Sequence, residues 1–172
     1  MNASDFAVNT LNETHAALMQ ALDGLTQEEL MRQPQPEANS IAFTLWHIVR
    51  VEDWFFHYLF QRVPQIWEAE KWPEKLNLPD DPKVTGFGYS IEQVASFPAV
   101  QLQDLLAYGE AVRASSLDYI RNVDLAKFDE IVKSRLFGEV SIGALMGHVF
   151  VEIAEHIGQI GYIRGLMKAQ GK

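Results

Sequence analysis

Apolar residues recur at helical spacing along four stretches of the chain. In the first, Val8, Leu11, His15, Leu18 and Leu22 form one stripe between about Ser4 and Leu22. This is the three- and four-residue recurrence of an amphipathic helix. Gly24 follows as a stop signal, and Thr26-Gln-Glu-Glu29 has the form of a capping box opening a short helix. The second stretch starts at Asn39 or Ser40, after Pro34 and Pro36, and runs to about Gln61. At roughly 100° per residue, His47 shares a face there with Thr44, Val51, Trp54, Phe55 and Tyr58, while Arg50, Asp53 and His57 fall to the side. The third runs from about Pro98 to Asn122, with Val100, Leu102, Leu105, Leu106, Tyr108, Val112, Leu117 and Ile120 as its apolar positions. The fourth opens at Ser141 and continues to about Lys168.

Four long amphipathic helices in one chain predict an all-α fold, a four-helix bundle spanning residues 1–172 as a single domain. Two connections interrupt the pattern. Residues 62–90 carry Pro64, Pro73, Pro79 and Pro82 together with Trp67 and Trp72. A stretch of that kind fits a long crossover with at most one short helix. It is either a lid over one end of the bundle or a surface connector anchored by its two tryptophans. Ser90-Ile-Glu-Gln93 resembles a further helix start. Between the third and fourth helices, Glu130-Ile-Val-Lys133 and Arg135-Leu-Phe-Gly-Glu-Val140 can pair as a small hairpin.

Composition narrows the functional classes. The net charge of -9 opposes the clustered Lys and Arg that nucleic acid requires, and it disfavours anionic membrane surfaces. No stretch is apolar enough for a membrane span, and the start Met-Asn-Ala-Ser-Asp has neither the basic nor the apolar region of a secretory signal. The expected location is the cytoplasm and the expected partner a small-molecule substrate. The absence of cysteine excludes disulfides, zinc-thiolate sites and a cysteine nucleophile.

Candidate chemistry centres on Glu152 and His156. Four residues apart, they project from one helix face, together with Leu145, Val149, Ile160 and Ile163. A carboxylate and an imidazole turned inward are costly unless something neutralises and binds them, and a divalent metal does both. His47, within Ile41-Ala-Phe-Thr-Leu-Trp-His-Ile-Val49, is the available third ligand. Convergent side chains on facing helices are how bundle metal sites are built, although a histidine taken singly is more often a satisfied core or surface residue than a ligand. His148, one turn before Glu152, is ranked first as a hydrogen-bonding support to the ligands and otherwise as a fourth ligand or an edge residue. Gln159 and Tyr58 are further candidates for the pocket, His15 fits a core histidine, and His57 is expected at the periphery. No residue stands out as the general acid or base.

The segments Gly147-His-Val-Phe-Val-Glu-Ile-Ala-Glu-His-Ile-Gly-Gln159 and Ser40-Ile-Ala-Phe-Thr-Leu-Trp-His-Ile-Val-Arg-Val-Glu-Asp-Trp54 resemble the fourth- and second-helix signatures of the DinB-like superfamily. The resemblance implies a four-helix bundle whose metal is held by His47, Glu152 and His156. Many members have His where this chain has Glu152, and the Glu variant is similar to the site of mycothiol-dependent maleylpyruvate isomerase. It further implies a transferase or isomerase that uses a low-molecular-weight thiol. A metal-dependent hydrolase and a stress-associated, non-catalytic metal-binding bundle are the alternatives. Two imidazoles and a carboxylate suit zinc, and also nickel, iron or manganese.

Gly143, Gly147, Ala154, Gly158, Gly161 and Gly165 form a second stripe on the last helix, nearly opposite Glu152 and His156. Each helical glycine costs about 1 kcal/mol relative to alanine, so the stripe calls for a close neighbour. That neighbour is either another helix of the same bundle or the same helix in a homodimer.

Overall fold

A computed structural model of the chain describes residues 1–134 and 136–169. Eight α-helices appear among them. Helix α1 (Ala3–Leu22) is capped by Asn2, whose side chain accepts from the Asp5 amide while Asp5 reaches back to the Asn2 amide. The Thr26–Glu29 capping box forms as expected and opens α2 (Gln27–Met31). Ser40 caps α3 (Ile41–Asp53), and every residue of that helix is buried. From Trp54 to Gln61 the same helix continues as a wider π-helix, and it ends at Arg62 in the left-handed conformation.

The crossover holds two short helices where at most one was expected: α4 (Ile66–Ala69) and α5 (Trp72–Leu76). Pro73 suits the first turn of α5, where its missing N–H costs nothing. Trp67 and Trp72 are both buried, so they anchor the connection. Ser90 caps α6 (Ile91–Ala95). Helix α7 spans Leu102–Asn122 and therefore starts four residues later than the apolar pattern suggested. The Val100 carbonyl is taken by the Gln27 side chain at 2.7 Å, which holds this approach outside the helix. A 3₁₀ turn (Leu125–Asp129) leads into an antiparallel hairpin of β1 (Ile131–Ser134) and β2 (Gly138–Ser141), with Val132 opposite Val140. Arg135, also assigned to the hairpin, lies outside the described residues. Ser141 accepts from the Ala144 amide at the start of α8 (Ile142–Ala169).

The four long helices pack in a ring. Helix α1 lies against α7 and α8, and so does α3, which makes α1/α3 and α7/α8 the diagonals. Gly109 lets α7 approach α3 closely; a Cβ there would sit 3.3 Å from Val49. Arg113 of α7 makes a two-pronged ion pair with buried Glu52 of α3 and also donates to the Leu11 carbonyl, tying three helices. The glycine stripe of α8 is not an internal contact. Gly147, Gly158, Gly161 and Gly165 face open space, because α8 turns its apolar residues inward on the other side. Of the five glycines in the stripe, Gly143 alone has a neighbour within 4 Å of a Cβ placed there, the Phe128 carbonyl.

Asp53 is the polar centre of the interior. It is fully buried and accepts five donors: the amides of Ile66 (3.0 Å) and Trp67 (2.9 Å), the Tyr108 hydroxyl (2.6 Å), His57 Nδ1 (2.7 Å) and Arg50 Nη1 (3.4 Å). Burial alone pushes its pKa up. The bonds from His57, Tyr108 and the Trp67 amide outweigh that and hold the carboxyl below the ordinary Asp value. Burial pushes Tyr108 well above its usual pKa, so it serves Asp53 as a neutral donor. Arg50, also fully buried, donates in addition to the Tyr108 hydroxyl and to the carbonyls of Pro82 and Val84, and lies 4.4 Å from the centre of the Trp67 ring. His57 is thus an interior residue rather than a peripheral one.

Because the folded pKa of Asp53 lies below its unfolded value, its contribution is complete above about pH 4. It fades as pH falls through the folded value. Asp53→Ala leaves Arg50 without its carboxylate and is expected to cost about 3–5 kcal/mol in urea unfolding at pH 7. The deficit relative to wild type should shrink as the pH is lowered below 4; a deficit constant from pH 7 to pH 3 would contradict the assignment.

Candidate metal centre

His47 of α3 and Glu152 and His156 of α8 converge, with one ligand atom from each lying within 4.8 Å of the others. His47 Nε2 is 3.3 Å from Glu152 Oε1, and the two imidazole centres are 4.8 Å apart. Donors at about 2.1 Å from one tetrahedral ion lie about 3.4 Å from each other, so the His47–Glu152 spacing already fits a shared ion. His47 is buried, while the Glu152 and His156 side chains are 22% and 15% exposed. The group therefore sits at the edge of the core rather than deep within it.

The tautomers decide whether this group could hold a metal. His156 Nδ1 bonds the Glu152 carbonyl of its own helix at 2.8 Å. His47 Nδ1 bonds the Thr85 carbonyl at 2.6 Å. A carbonyl only accepts, so in each ring Nδ1 carries the proton and Nε2 is left with a free lone pair. His47 Nε2 faces Glu152 Oε1, whereas the His156 nitrogen within 4 Å of that oxygen is Nδ1, at 3.8 Å. A backbone carbonyl behind each imidazole is the usual support for a metal-binding histidine.

Thr85 is brought to His47 by Gly86. This glycine has φ of +89°, and a Cβ there would lie 2.8 Å from Trp46 and 3.0 Å from Phe43. The loop can lie this close to α3 only without a side chain at position 86. Phe43 stacks parallel to His47 at 6.4 Å between centres. Phe87 and Tyr89 line the cavity of about 300 Å³ that the three side chains border.

The other candidates lie elsewhere. His148 packs between Phe55 and Phe137, at 6.1 and 4.6 Å between ring centres, and among the described residues no hydrogen bond joins it to the three. Gln159 is exposed on α8. Tyr58 is 55% exposed and packs at a tilt against Trp54 beside a different cleft. Its displacement follows from the π-helix, in which each residue advances less than 100° and the face carrying His47 is not kept. His15 is half-buried beside Glu52 and Arg113 on the α1 side. His57 accepts from Ser115 Oγ at 2.7 Å on one side and donates to Asp53 on the other. The order Ser–His–Asp does not make a nucleophile there: Ser115 lies mid-helix in α7, where the neighbouring amides are spent on helical bonds and none face an oxyanion.

Residues 10–160 match the sequence profile of the DinB superfamily. The chain belongs to the DinB superfamily. The crystal structure of a conserved protein from Enterococcus faecalis has the same fold, with a TM-score of 0.85 at 22% identity over 96% of this chain and 97% of that one. No protein of curated function matches. Among the described residues, no helix of this DinB-superfamily bundle is long and apolar enough to cross a membrane.

Gly86→Ala is expected to push Thr85 away from His47, free its tautomer and weaken divalent-ion binding by about 10–100-fold. Competition with a chromophoric chelator measures this. Unchanged affinity in a folded variant would show that the loop carbonyl has no part in the site.

Proposed function

We propose that this protein is a metal-dependent enzyme in which His47, Glu152 and His156 hold one divalent ion. The supporting observation is that the three side chains converge within 4.8 Å while a backbone carbonyl occupies Nδ1 of each imidazole and leaves Nε2 as the available donor. The donor set is two nitrogens and one oxygen. It suits zinc first, with nickel, iron or manganese as alternatives. Three protein ligands leave a position free for chemistry, and the adjoining cavity has room for a small molecule. An ion held there supplies Lewis acidity and lowers the pKa of a water or thiol that meets it.

The chain has no cysteine, so a reactive sulfur must come from a cosubstrate. Transfer or isomerisation with a low-molecular-weight thiol is the leading reaction class, and metal-assisted hydrolysis is the second. The chain's own contribution is positional. The carbonyls of Thr85 and Glu152 occupy Nδ1 of the two imidazoles and leave Nε2 as the donor, and the rings of Phe43, Phe87 and Tyr89 give the substrate an apolar wall.

Elemental analysis of the purified protein should find about one divalent ion per chain, lost in His47→Ala and in His156→Ala. Chelation should abolish turnover of thiol or ester substrates and leave the melting temperature nearly unchanged. A large drop in melting temperature on chelation, with no substrate responding to reloading, would instead make the ion structural.

The proposal includes a homodimer. Gly147, Gly158, Gly161 and Gly165 lie open along α8 next to exposed Val151 and Tyr162, a smooth surface for the same helix of a second copy. Gly158→Leu should yield a folded monomer in sedimentation velocity. A wild-type protein that is itself monomeric at roughly 100 µM, where a dimer of about 5.5 kcal/mol would be half-formed, would remove the dimer.

A further inference from the structure

A second cleft, of about 800 Å³, lies between the π-helix, the loop at residues 82–83 and strand β1, and it shares no lining residue with the cavity at His47. Its size is that of a small-molecule site. Trp54, half-buried, and Tyr58 lie 5.5 Å apart between ring centres, tilted 36° to each other, and give it an aromatic wall; Val132 also lines the cleft.

The rim is basic in an acidic protein. Arg62, Lys83 and Lys133 line the cleft against a single acid, Glu68, although the chain as a whole has 14 Lys and Arg to 23 Asp and Glu. Nearby acids do not cancel this. Glu130 is 3.7 Å from Arg62 and Glu139 is 3.5 Å from Lys133. Both pairs are solvent-exposed, and such pairs hold their partners weakly. Asp81 accepts from the Lys83 amide.

The walls are fixed before any ligand arrives. The Pro82 carbonyl is held by buried Arg50 at 2.9 Å and by buried Gln65 at 3.0 Å. The segment after Gln65 is held by Asp53 through the Ile66 and Trp67 amides. A cleft shaped in advance avoids the ordering cost of closing around its ligand.

We infer that this cleft binds a small organic anion with a flat apolar body, such as an aromatic carboxylate. Its ring would lie against Trp54 and Tyr58, and its charge would meet Lys83, Lys133 and Arg62. The inference does not rest on the metal centre.

Calorimetry with 2-naphthoate and its neutral counterpart 2-naphthamide tests it. The acid should bind and the amide should bind at least tenfold more weakly, with the affinity for the acid falling as NaCl rises from 50 to 500 mM or so. Lys83→Ala/Lys133→Ala, both at exposed positions, should lose at least tenfold for the acid. Tryptophan quenching should disappear in Trp54→Phe, since Trp46, Trp67 and Trp72 are buried. His47→Ala should bind the acid as wild type does. Equal binding of acid and amide, full affinity in the double-lysine variant, loss of binding in His47→Ala, or no binding at millimolar concentration would each overturn the assignment.

Discussion

The structure turns on one buried carboxylate. Placing Asp53 inside a helical bundle removes an ion from water, and an unpaired ion there is prohibitive. Five donors reach its two oxygens, and they come from three parts of the chain: α3 with its π-helical continuation through Arg50 and His57, α7 through Tyr108, and the crossover through the first amides of α4. The carboxylate therefore fixes where a long, proline-rich connection begins. Arg50, neutralised in the same place, fixes where that connection comes back, by holding the carbonyls of Pro82 and Val84. Three residues after Pro82 the loop delivers Thr85 to His47. The polar interior and the candidate metal centre are thus consecutive links along one helix and one loop.

This explains why α3 is buried on every side. A helix at the edge of a bundle needs one apolar face, but α3 is packed by α7, by α8 and by the crossover. Its charged residues are accordingly paired: Arg50 with Asp53, and Glu52 with Arg113. Hydrogen bonds of this kind contribute modestly to net stability but are expensive to leave unmade. They select one register of α7 and one path for the crossover over the alternatives that apolar packing alone would allow.

Much of this was legible in the residues. Helical spacing located all four long helices, and the Asn39–Ser40 and Ser141 caps marked two starts. Glu152 and His156 were visible because a four-residue separation on one face is a local property, and His47 because an imidazole inside an apolar run is conspicuous. The parts that escaped are non-local or break the regular period. Thr85 acts through its backbone carbonyl, which carries no side-chain signature, and Gly86 looks like any loop glycine until Trp46 is seen beneath it. Tyr58 was misplaced because the π-helix abandons the 100° step. Arg50 and Asp53 were seen to leave the face of His47, but nothing local said that Tyr108 and the α4 amides would meet them. The glycines of α8 called for a close neighbour, in the bundle or in a second copy, and nothing local said that the apolar residues on the other side of that helix would claim the bundle.

The two imidazoles are held in unequal ways. The bond behind His156 comes from the preceding turn of its own helix, and the bond behind His47 comes from 38 residues farther along the chain. Wherever α8 is folded, Glu152 and His156 remain an oriented pair. His47 takes up its orientation only while the crossover is seated. Local fraying of residues 82–89 would withdraw one donor in three and spare the others. Any cation held by the proposed triad would thereby report on loop docking, tied thermodynamically to a segment that contributes none of the three side chains.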